Sequence, residues 1–400
     1  METIYLVAAF WFFAAVLSTV LANRLKVSIA LMEIIVGSII GFAAFQLGYF
    51  DKLTLNADWL KFCTGVGAML LTFLAGAELN PDVMKSKIKE VSVIGLVGFA
   101  APFIGCSLIA YYLIGWNLQA SLLCGIALST TSMAVVYAVM LEYGFNKTDY
   151  GKGILGSCFV NDLGTVIGLG LIFAPFTYRT LIFISVTIAL IFILPWLTDY
   201  LIKHFAHKTA AIRAKWILFV LLAMGVLALW SGSEPVLPAY VIGMLLANTM
   251  EKDGHFVRRL RTLTIGFLTP LYFLRAGALV SIPALVAAPV IFLVLFGGKI
   301  ITKIFGLFPF IYKFRENKGG RWYYTLLMST GLTFGTISAL FGLSHNIISQ
   351  AQYSFIVGAV IASAVIPTLI ANKFFLPKHL LEKPVLDDQV PDENDIINKL

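Results

Sequence analysis

The sequence contains few charged residues: Asp, Glu, Lys and Arg make up 12% of its 400 residues, while 59% are hydrophobic. Soluble domains carry about 25% charged residues, so this composition excludes an ordinary soluble domain. The four cysteines show no CxxC spacing and have no histidine nearby, which argues against a zinc site or a disulfide framework. Because no nucleophile and base stand in a catalytic arrangement, we expect neither an enzyme nor a bound cofactor.

Apolar runs of about twenty residues, the length that crosses a bilayer, recur along the whole chain. Lysines and arginines gather in alternate loops between these runs, which is the positive-inside pattern of a plasma (inner) membrane protein rather than a nucleic-acid-binding surface. This pattern predicts an N-terminus outside and a C-terminus in the cytoplasm. We predict about thirteen spans, at approximately 3–22, 26–48, 59–79, 91–114, 118–141, 152–175, 179–202, 213–231, 235–250, 263–282, 284–309, 322–345 and 351–376.

Two distant segments share one sequence pattern: residues 73–79 read FLAGAEL, and residues 273–279 read FLRAGAL with one residue inserted. An odd number of spans separates the two copies, so they cross the membrane in opposite directions, as in the inverted repeats of secondary transporters. Coincidence among helices rich in Gly, Ala and Phe is the alternative. We predict a transporter domain over 1–376, with repeat one at about 3–175, a linker helix at about 179–202, repeat two at about 213–376, and a short polar cytoplasmic tail at 377–400.

Hydroxyl-rich interruptions lie in the middle of two corresponding spans, the fifth and the twelfth. Ser and Thr side chains compete with helical hydrogen bonds, so we expect both spans to unwind locally. Broken helices at matching positions indicate a transporter's binding site, whereas small residues that permit close helix packing are the alternative interpretation. The residues concerned are Thr130, Thr131 and Ser132 in the first interruption and Thr330, Gly331 and Gly335 in the second.

Asp162 is the only charged residue in the apolar stretch 153–176. A charged group near the bilayer centre costs roughly 3 to 17 kcal/mol, so such a carboxylate needs a wet cavity, a partner or a proton. Arg275 lies at a similar predicted depth and is the expected charge partner, although a static ion pair that only orients helices is an alternative. A carboxylate in this position binds either a proton or a small cation, because each neutralises the same charge. Asp162 is thus the predicted metal ligand for the transported monovalent cation. Because the cation and a proton compete for it, we predict exchange of one for the other.

Other ionisable residues lie nearer the predicted cytoplasmic ends of the spans. Glu33 and Glu78 are expected either to line a cytoplasmic cation funnel or to pair with loop cations. Lys299 and Lys303 are expected to extend their ammonium groups toward the membrane surface.

Four strings, in order and in their placement on the spans, carry a resemblance to a known family. They are ALMEIIVGSIIG at 30–41, LLTFLAGAEL at 70–79, Val160-Asn161-Asp162, and PAYVIGM at 238–244. With them the chain resembles the monovalent cation/proton antiporter superfamily, specifically its sodium/proton and potassium/proton exchanger-like members, over roughly residues 5–375.

The resemblance implies an all-α membrane protein of thirteen helices, with an inverted repeat, two crossed broken helices, a core domain and a dimerisation domain that forms a homodimer. It also implies that the core moves against the dimerisation domain in an elevator-type cycle. Asp162 would be the exchanging carboxylate, Asn161 the neutral partner typical of electroneutral members, and Thr130 and Thr131 part of the unwound segment. Arg275 would be the basic residue that electroneutral members have as Arg and electrogenic members as Lys.

The chain departs from this family pattern at two positions. Near Ser132, where many sodium-selective members carry an Asp, only hydroxyls are present, and Ser157 belongs to the turn where an acid commonly precedes the Asn-Asp pair. With fewer anionic ligands, the identity of the cation stays open among Na⁺, K⁺ and Li⁺. We expect electroneutral one-for-one exchange of such a cation, Na⁺ first, for H⁺. The alternatives are a sodium-coupled organic-solute symporter of related inverted-repeat fold and a potassium-efflux system.

Overall fold

The computed structural model describes residues 2–25, 29–77, 87–143, 145, 148–173, 177–205, 212–233, 235–252, 254–377 and 380. These residues form helices and no strands, which confirms the predicted all-α membrane fold. Ten helices are long and apolar enough to cross a bilayer, and two shorter apolar helices cover Leu118–Ser129 and Val236–Ala247. Within the described residues, each predicted segment contains a helix, while the number of true spans and the boundaries of the repeats and of the tail remain predictions.

The chain contains seventeen α-helices in the described ranges, and three π-helical turns extend or join four of them. The turns are Ile109–Leu113 after α4, Thr264–Leu268 between α11 and α12, and Ala371–Phe375 after α17. The helices are α1 (Glu2–Leu25), α2 (Ile29–Gln46), α3 (Asp58–Ala77), α4 (Ile88–Leu108), α5 (Leu118–Ser129), α6 (Met133–Glu142), α7 (Asp149–Phe173), α8 (Tyr178–Phe205), α9 (Ile212–Ser231), α10 (Val236–Lys252), α11 (Gly254–Leu263), α12 (Thr269–Ala278), α13 (Ile282–Ala287), α14 (Pro289–Phe314), α15 (Lys318–Met328), α16 (Thr333–Ser344) and α17 (Gln350–Ile370).

Packing divides the helices into two bodies. The first, which we call the framework, contains α1 to α3 and α8 to α12, with its closest pairings between α2 and α12 and between α3 and α10. The second, which we call the core, contains α4 to α7 and α13 to α17, with α4 packed against α5, α7 and α14. The helix that carries Asp162, α7, belongs to the core and touches the framework through α10.

Glycines allow main chain to meet main chain where α2 crosses α12. A Cβ on Gly37 would collide with the carbonyl oxygen of Leu274, and a Cβ on Gly277 would collide with that of Ile34. Neither collision involves a side chain that could rotate away. Larger residues at either glycine would therefore force the two helices apart.

The crossing of α3 with α10 repeats this arrangement in the other half of the framework. A Cβ on Gly243 would collide with the carbonyl oxygen of Phe73, and a Cβ on Gly76 would lie 2.5 Å from that of Tyr240. Gly76 occupies the same place in FLAGA that Gly277 occupies in FLRAGA. The repeat seen in the sequence thus coincides with a repeated contact in space, as inverted-repeat transporters require.

An ion pair fastens three core helices at the end where α7 begins. Arg315, directly after α14, donates through Nε to Glu90 Oε1 of α4 at 3.0 Å. Its guanidinium also lies 5.1 Å from the ring centroid of Tyr150 on α7. Because Glu90 is buried and Arg315 nearly so, this pair is shielded from solvent screening.

Candidate functional site: two broken helices beside a buried carboxylate

The site is built where two helices break and cross in the middle of the core. Residues 130–132 separate α5 from α6, and residues 329–332 separate α15 from α16. Thr131 Oγ1 donates to the carbonyl oxygen of Met328 at 2.8 Å, and the Ser132 backbone N–H donates to Thr330 Oγ1 at 3.4 Å. The predicted pair of crossed broken helices is confirmed.

Hydroxyl groups explain why both helices stop at this level. Ser129 Oγ donates to the carbonyl oxygen of Ile126 at 2.8 Å, and Thr330 Oγ1 donates to that of Leu327 at 2.7 Å. These bonds satisfy carbonyls that the last helical turn leaves without a partner. Thr130 then turns into extended backbone, with φ −63° and ψ 152°.

Two glycines, Gly331 in the second break and Gly335 in the first turn of α16, lie close to the first break. Gly331 lies directly against the ammonium group of Lys299, and a Cβ on Gly335 would lie 2.9 Å from the carbonyl oxygen of Ala127 and 3.1 Å from Thr130 Oγ1. The crossing therefore depends on glycine at both positions.

Asp162 and Asn161 lie in the middle of α7 and are buried, with Asp162 only 1% exposed. Asp162 Oδ1 and both amide atoms of Asn161 have no hydrogen-bond partner. Buried polar atoms in proteins are nearly always hydrogen-bonded, because an unpaired one costs free energy. A carboxylate oxygen and an amide oxygen left open at the same buried level are chemically suited to receive a cation or a proton.

The cations at this site are Lys299 and Lys303, about one turn apart on α14, and both are fully buried. Lys299 Nζ donates to the carbonyl oxygen of Thr130 at 3.2 Å, and Lys303 Nζ donates to Thr131 Oγ1 at 3.0 Å. The prediction that these lysines extend toward the membrane surface is wrong, because the carbonyl and the hydroxyl of the first break offer their ammonium groups internal partners.

The two lysines also supply the positive field at Asp162. Lys303 and, more weakly, Lys299 are the charged groups that act on its carboxylate. Among the described residues, however, neither lysine forms an ion pair with Asp162 within 4.0 Å. The lysines therefore stabilise the crossing by hydrogen bonds and act on the Asp162 carboxylate electrostatically, without forming an ion pair with it.

Arg275 does not pair with Asp162, and this prediction is corrected by the structure. Its Nε donates to the carbonyl oxygen of Leu55, in the segment between α2 and α3, at 2.7 Å. Similar depth was a poor guide because α12 belongs to the framework and turns this side chain toward another framework segment.

Ser157 lies about one turn before Asn161 on α7, and its hydroxyl is already engaged. Ser157 Oγ and Tyr324 Oη are 2.7 Å apart, and Tyr324 Oη donates to the carbonyl oxygen of Gly153 at 3.0 Å. In this conformation Ser157 therefore ties α7 to α15, and its role as an ion ligand remains a proposal.

Of the two glutamates predicted to line a cytoplasmic funnel, the structure describes one. Glu33, on α2 of the framework, is only 2% exposed and so does not line an open funnel in this structure. Glu78 lies outside the described residues.

The fold and the crossing define the class of protein: a membrane transporter built from inverted repeats around two broken helices. A family model described as "Sodium/hydrogen exchanger, transmembrane" matches residues 12–372, and the chain belongs to this family.

Relatives and solved structures agree with this assignment. A "Probable Na(+)/H(+) antiporter 3" of Methanocaldococcus jannaschii is 28% identical over 232 residues, which cover 55% of this chain and 58% of that protein, so the match spans little more than half of the relative. An Enterococcus hirae "Na(+)/H(+) antiporter" is 24% identical over 90% of this chain and 95% of its own length. The structure of the sodium proton antiporter MjNhaP1 from M. jannaschii at pH 8 has the same fold, with a TM-score of 0.69 at 14% identity, covering 93% of this chain and 99% of that one.

Proposed function

We propose that this protein is a secondary active antiporter that exchanges a monovalent cation for H⁺ at Asp162. Na⁺ is the first candidate, and K⁺ and Li⁺ are the alternatives. The observation that carries the proposal is the open carboxylate oxygen of Asp162, buried beside the open amide of Asn161 in the core. The names of the relatives, which are Na(+)/H(+) antiporters, support the same substrates.

The chemistry follows from competition for one carboxylate. Ionised Asp162 and the Asn161 amide oxygen offer hard oxygen ligands to an alkali cation, with hydroxyls of the crossing, Thr130 to Ser132, close to the same level. A proton neutralises the same carboxylate and removes its attraction for the cation. Either partner thus leaves when the other binds, and both are never held strongly together.

The buried lysines give the crossing its shape during this exchange. Thr131 Oγ1 accepts from Lys303 and donates to Met328, so both of its hydrogen-bonding functions are used within the core. Lys299 neutralises the carbonyl end of α5 through Thr130. We propose that the core moves as one body against the framework, in an elevator-type cycle, and exposes Asp162 to each side of the membrane in turn.

We propose one proton per cation, without net charge movement, because a single acid is open at the site. The family resemblance assigns Arg275 as the basic residue that electroneutral members have as Arg, whereas the cations that contact the crossing are Lys299 and Lys303. Whether the exchange moves net charge across the membrane therefore needs a direct test. A clamped membrane potential leaves the initial rate nearly unchanged if the exchange is electroneutral, and a strong dependence on potential would overturn that part of the proposal alone.

The framework is the body through which we propose that the protein forms a homodimer. Helix α1 exposes a row of large apolar side chains, among them Tyr5, Phe13 and Val16. We propose further that the N-terminus lies outside and the C-terminus in the cytoplasm, as the loop charges indicate.

Purified protein in liposomes tests the proposed function. A preset pH gradient is followed with an internal pH-sensitive dye, and external Na⁺, K⁺ or Li⁺ is added. We expect at least one of these ions to dissipate the gradient, and Asp162→Asn to abolish that response. Asp51→Asn, the same chemical change at an exposed position in the short 3-10 helix Phe50–Leu53, outside the core, should leave the rate unchanged. Undiminished exchange in Asp162→Asn would refute the proposal, and a response that requires an organic solute would favour the symporter.

A further inference from the structure

Tyr240 is the framework residue that touches the acid-bearing helix next to the ion site. It lies on α10 and is 1% exposed, although tyrosine carries a polar hydroxyl. Its hydroxyl donates to the carbonyl oxygen of Phe159 on α7 at 3.1 Å. Phe159 precedes Asp162 by about one turn, so this hydrogen bond joins the framework to the core close to the carboxylate.

The ring of Tyr240 contacts the core on two sides. It stacks on Phe159, with ring centroids 5.3 Å apart and an angle of 22° between the planes. It also meets Phe334 edge to face at 5.9 Å and 86°. Phe334 stands at the start of α16, just after the second helix break, so one framework side chain is wedged between the acid-bearing helix and a broken helix.

The backbone of Tyr240 is held by the framework itself. Its carbonyl oxygen lies against Gly76 of α3, at the close crossing of α3 and α10, where a Cβ would approach to 2.5 Å. Movement of the core against the framework therefore cannot carry Tyr240 along. The hydrogen bond to Phe159 and the two ring contacts must break when α7 slides past α10.

We propose that Tyr240 is a positioning residue that latches the core to the framework in the conformation seen here, about one helical turn from Asp162. The inference rests on the alternating-access part of the proposed function. A neutral hydrogen bond contributes about fivefold to an equilibrium, so loss of the hydroxyl should shift the balance between conformations by about that factor. Tyr240→Phe keeps the ring and removes only the hydroxyl.

Distance measurement between spin labels tests the latch in the whole protein. One label is placed by Leu47→Cys at the end of α2 in the framework, 69% exposed, and the other by Tyr112→Cys beyond α4 in the core, 78% exposed. Cys63, the one partly exposed cysteine, is first changed to Ala, and the other three cysteines are buried. Pulsed dipolar spectroscopy then reports the populations of the distances. With Tyr240→Phe we expect the population at the distance of this structure to fall about fivefold relative to the others.

Tyr150→Phe is the matched control. It also removes a buried tyrosine hydroxyl bonded to a backbone carbonyl, that of Gly320, but both partners belong to the core. We expect this variant to keep the wild-type distance distribution. An unchanged distribution in Tyr240→Phe, or equal shifts in both variants, would overturn the latch.

The distance measurement also separates this inference from the proposed exchange. If Asp162→Asn still exchanges ions while Tyr240→Phe shifts the distances, the latch stands and the role of Asp162 falls. If Asp162→Asn stops exchange and Tyr240→Phe leaves the distances unchanged, the role of Asp162 stands and the latch is wrong.

Discussion

Two glycines on one helix, Gly76 and Gly65 of α3, should respond to the same substitution with opposite signs. A Cβ added to Gly65 would have no neighbouring atom within 4 Å, so an added methyl meets open space. At Gly76 the same methyl would lie 2.5 Å from the carbonyl oxygen of Tyr240, 3.0 Å from the Met244 nitrogen and 3.2 Å from the Gly243 Cα. All three neighbours are backbone atoms, so relief requires the helices to part.

The magnitudes follow from these distances. Replacing an exposed helical glycine by alanine stabilises a helix by about 0.5–1 kcal/mol, which is the effect expected for Gly65→Ala. Gly76→Ala gains the same amount, but it must move α3 and α10 apart by about 1 Å, and overpacking of this kind costs about 1–3 kcal/mol. We therefore expect Gly76→Ala to be destabilising by roughly 1–2 kcal/mol.

Thermal unfolding of the detergent-solubilised protein, followed by the loss of monodisperse material on size exclusion, measures the difference. Scans at one rate and in one detergent are needed, because unfolding of large proteins is often irreversible. We expect Gly76→Ala to unfold a few degrees below the wild type and Gly65→Ala at or above it. If Gly76→Ala is as stable as Gly65→Ala, the close main-chain contact between α3 and α10 is refuted. Gly277→Ala, at the equivalent place in the other crossing, should behave like Gly76→Ala.

Three further predictions concern the core. Lys303→Gln removes the cation that acts most strongly on the carboxylate, so exchange in liposomes should slow at least ~10-fold, about 1.4 kcal/mol or more in the barrier; an unaltered rate would contradict this. Gly331→Ala places a methyl against the ammonium of Lys299 and should slow exchange while the yield of folded protein is kept, which dye assay and size exclusion measure together. Glu90→Gln leaves the charge of Arg315 without its partner and should lower the unfolding temperature, and additional replacement of Arg315 by Gln should restore part of the loss, as a double-mutant cycle would reveal.

Much of the fold could be predicted because the bilayer dictates the length of each apolar run. The crossing was also predictable, since hydroxyls at 129–132 and 329–330 compete with helical hydrogen bonds on both sides of the inverted repeat. Asp162 stood out as a lone charge in an apolar run, and the structure buries it beside the crossing.

The sequence did not predict which face of each helix points toward the interior of the protein. Counting residues along a span gives the depth of a side chain, but helices that are apolar on every side carry no pattern that tells protein from lipid. Depth alone therefore places Lys299 and Lys303 at the membrane surface, although their ammonium groups contact the crossing. It also places Arg275 beside Asp162, although its guanidinium donates to the carbonyl oxygen of Leu55. Tyr240 lies in the string PAYVIGM at 238–244, but nothing in the sequence indicates that its side chain contacts the helix that carries Asp162.

Among the described residues, the buried ionisable groups around the crossing carry unequal numbers of acids and bases. They are one carboxylate, that of Asp162, and two ammonium groups, those of Lys299 and Lys303. With Asp162 protonated and both lysines charged, these side chains already carry two positive charges before any metal ion arrives. An entering alkali ion would add to that surplus in surroundings that screen it poorly, so it can settle only as a proton departs. The charges of these three side chains would then be enough to couple the two ion movements tightly, with little leakage of either ion. No additional gate elsewhere in the protein would be needed for that coupling.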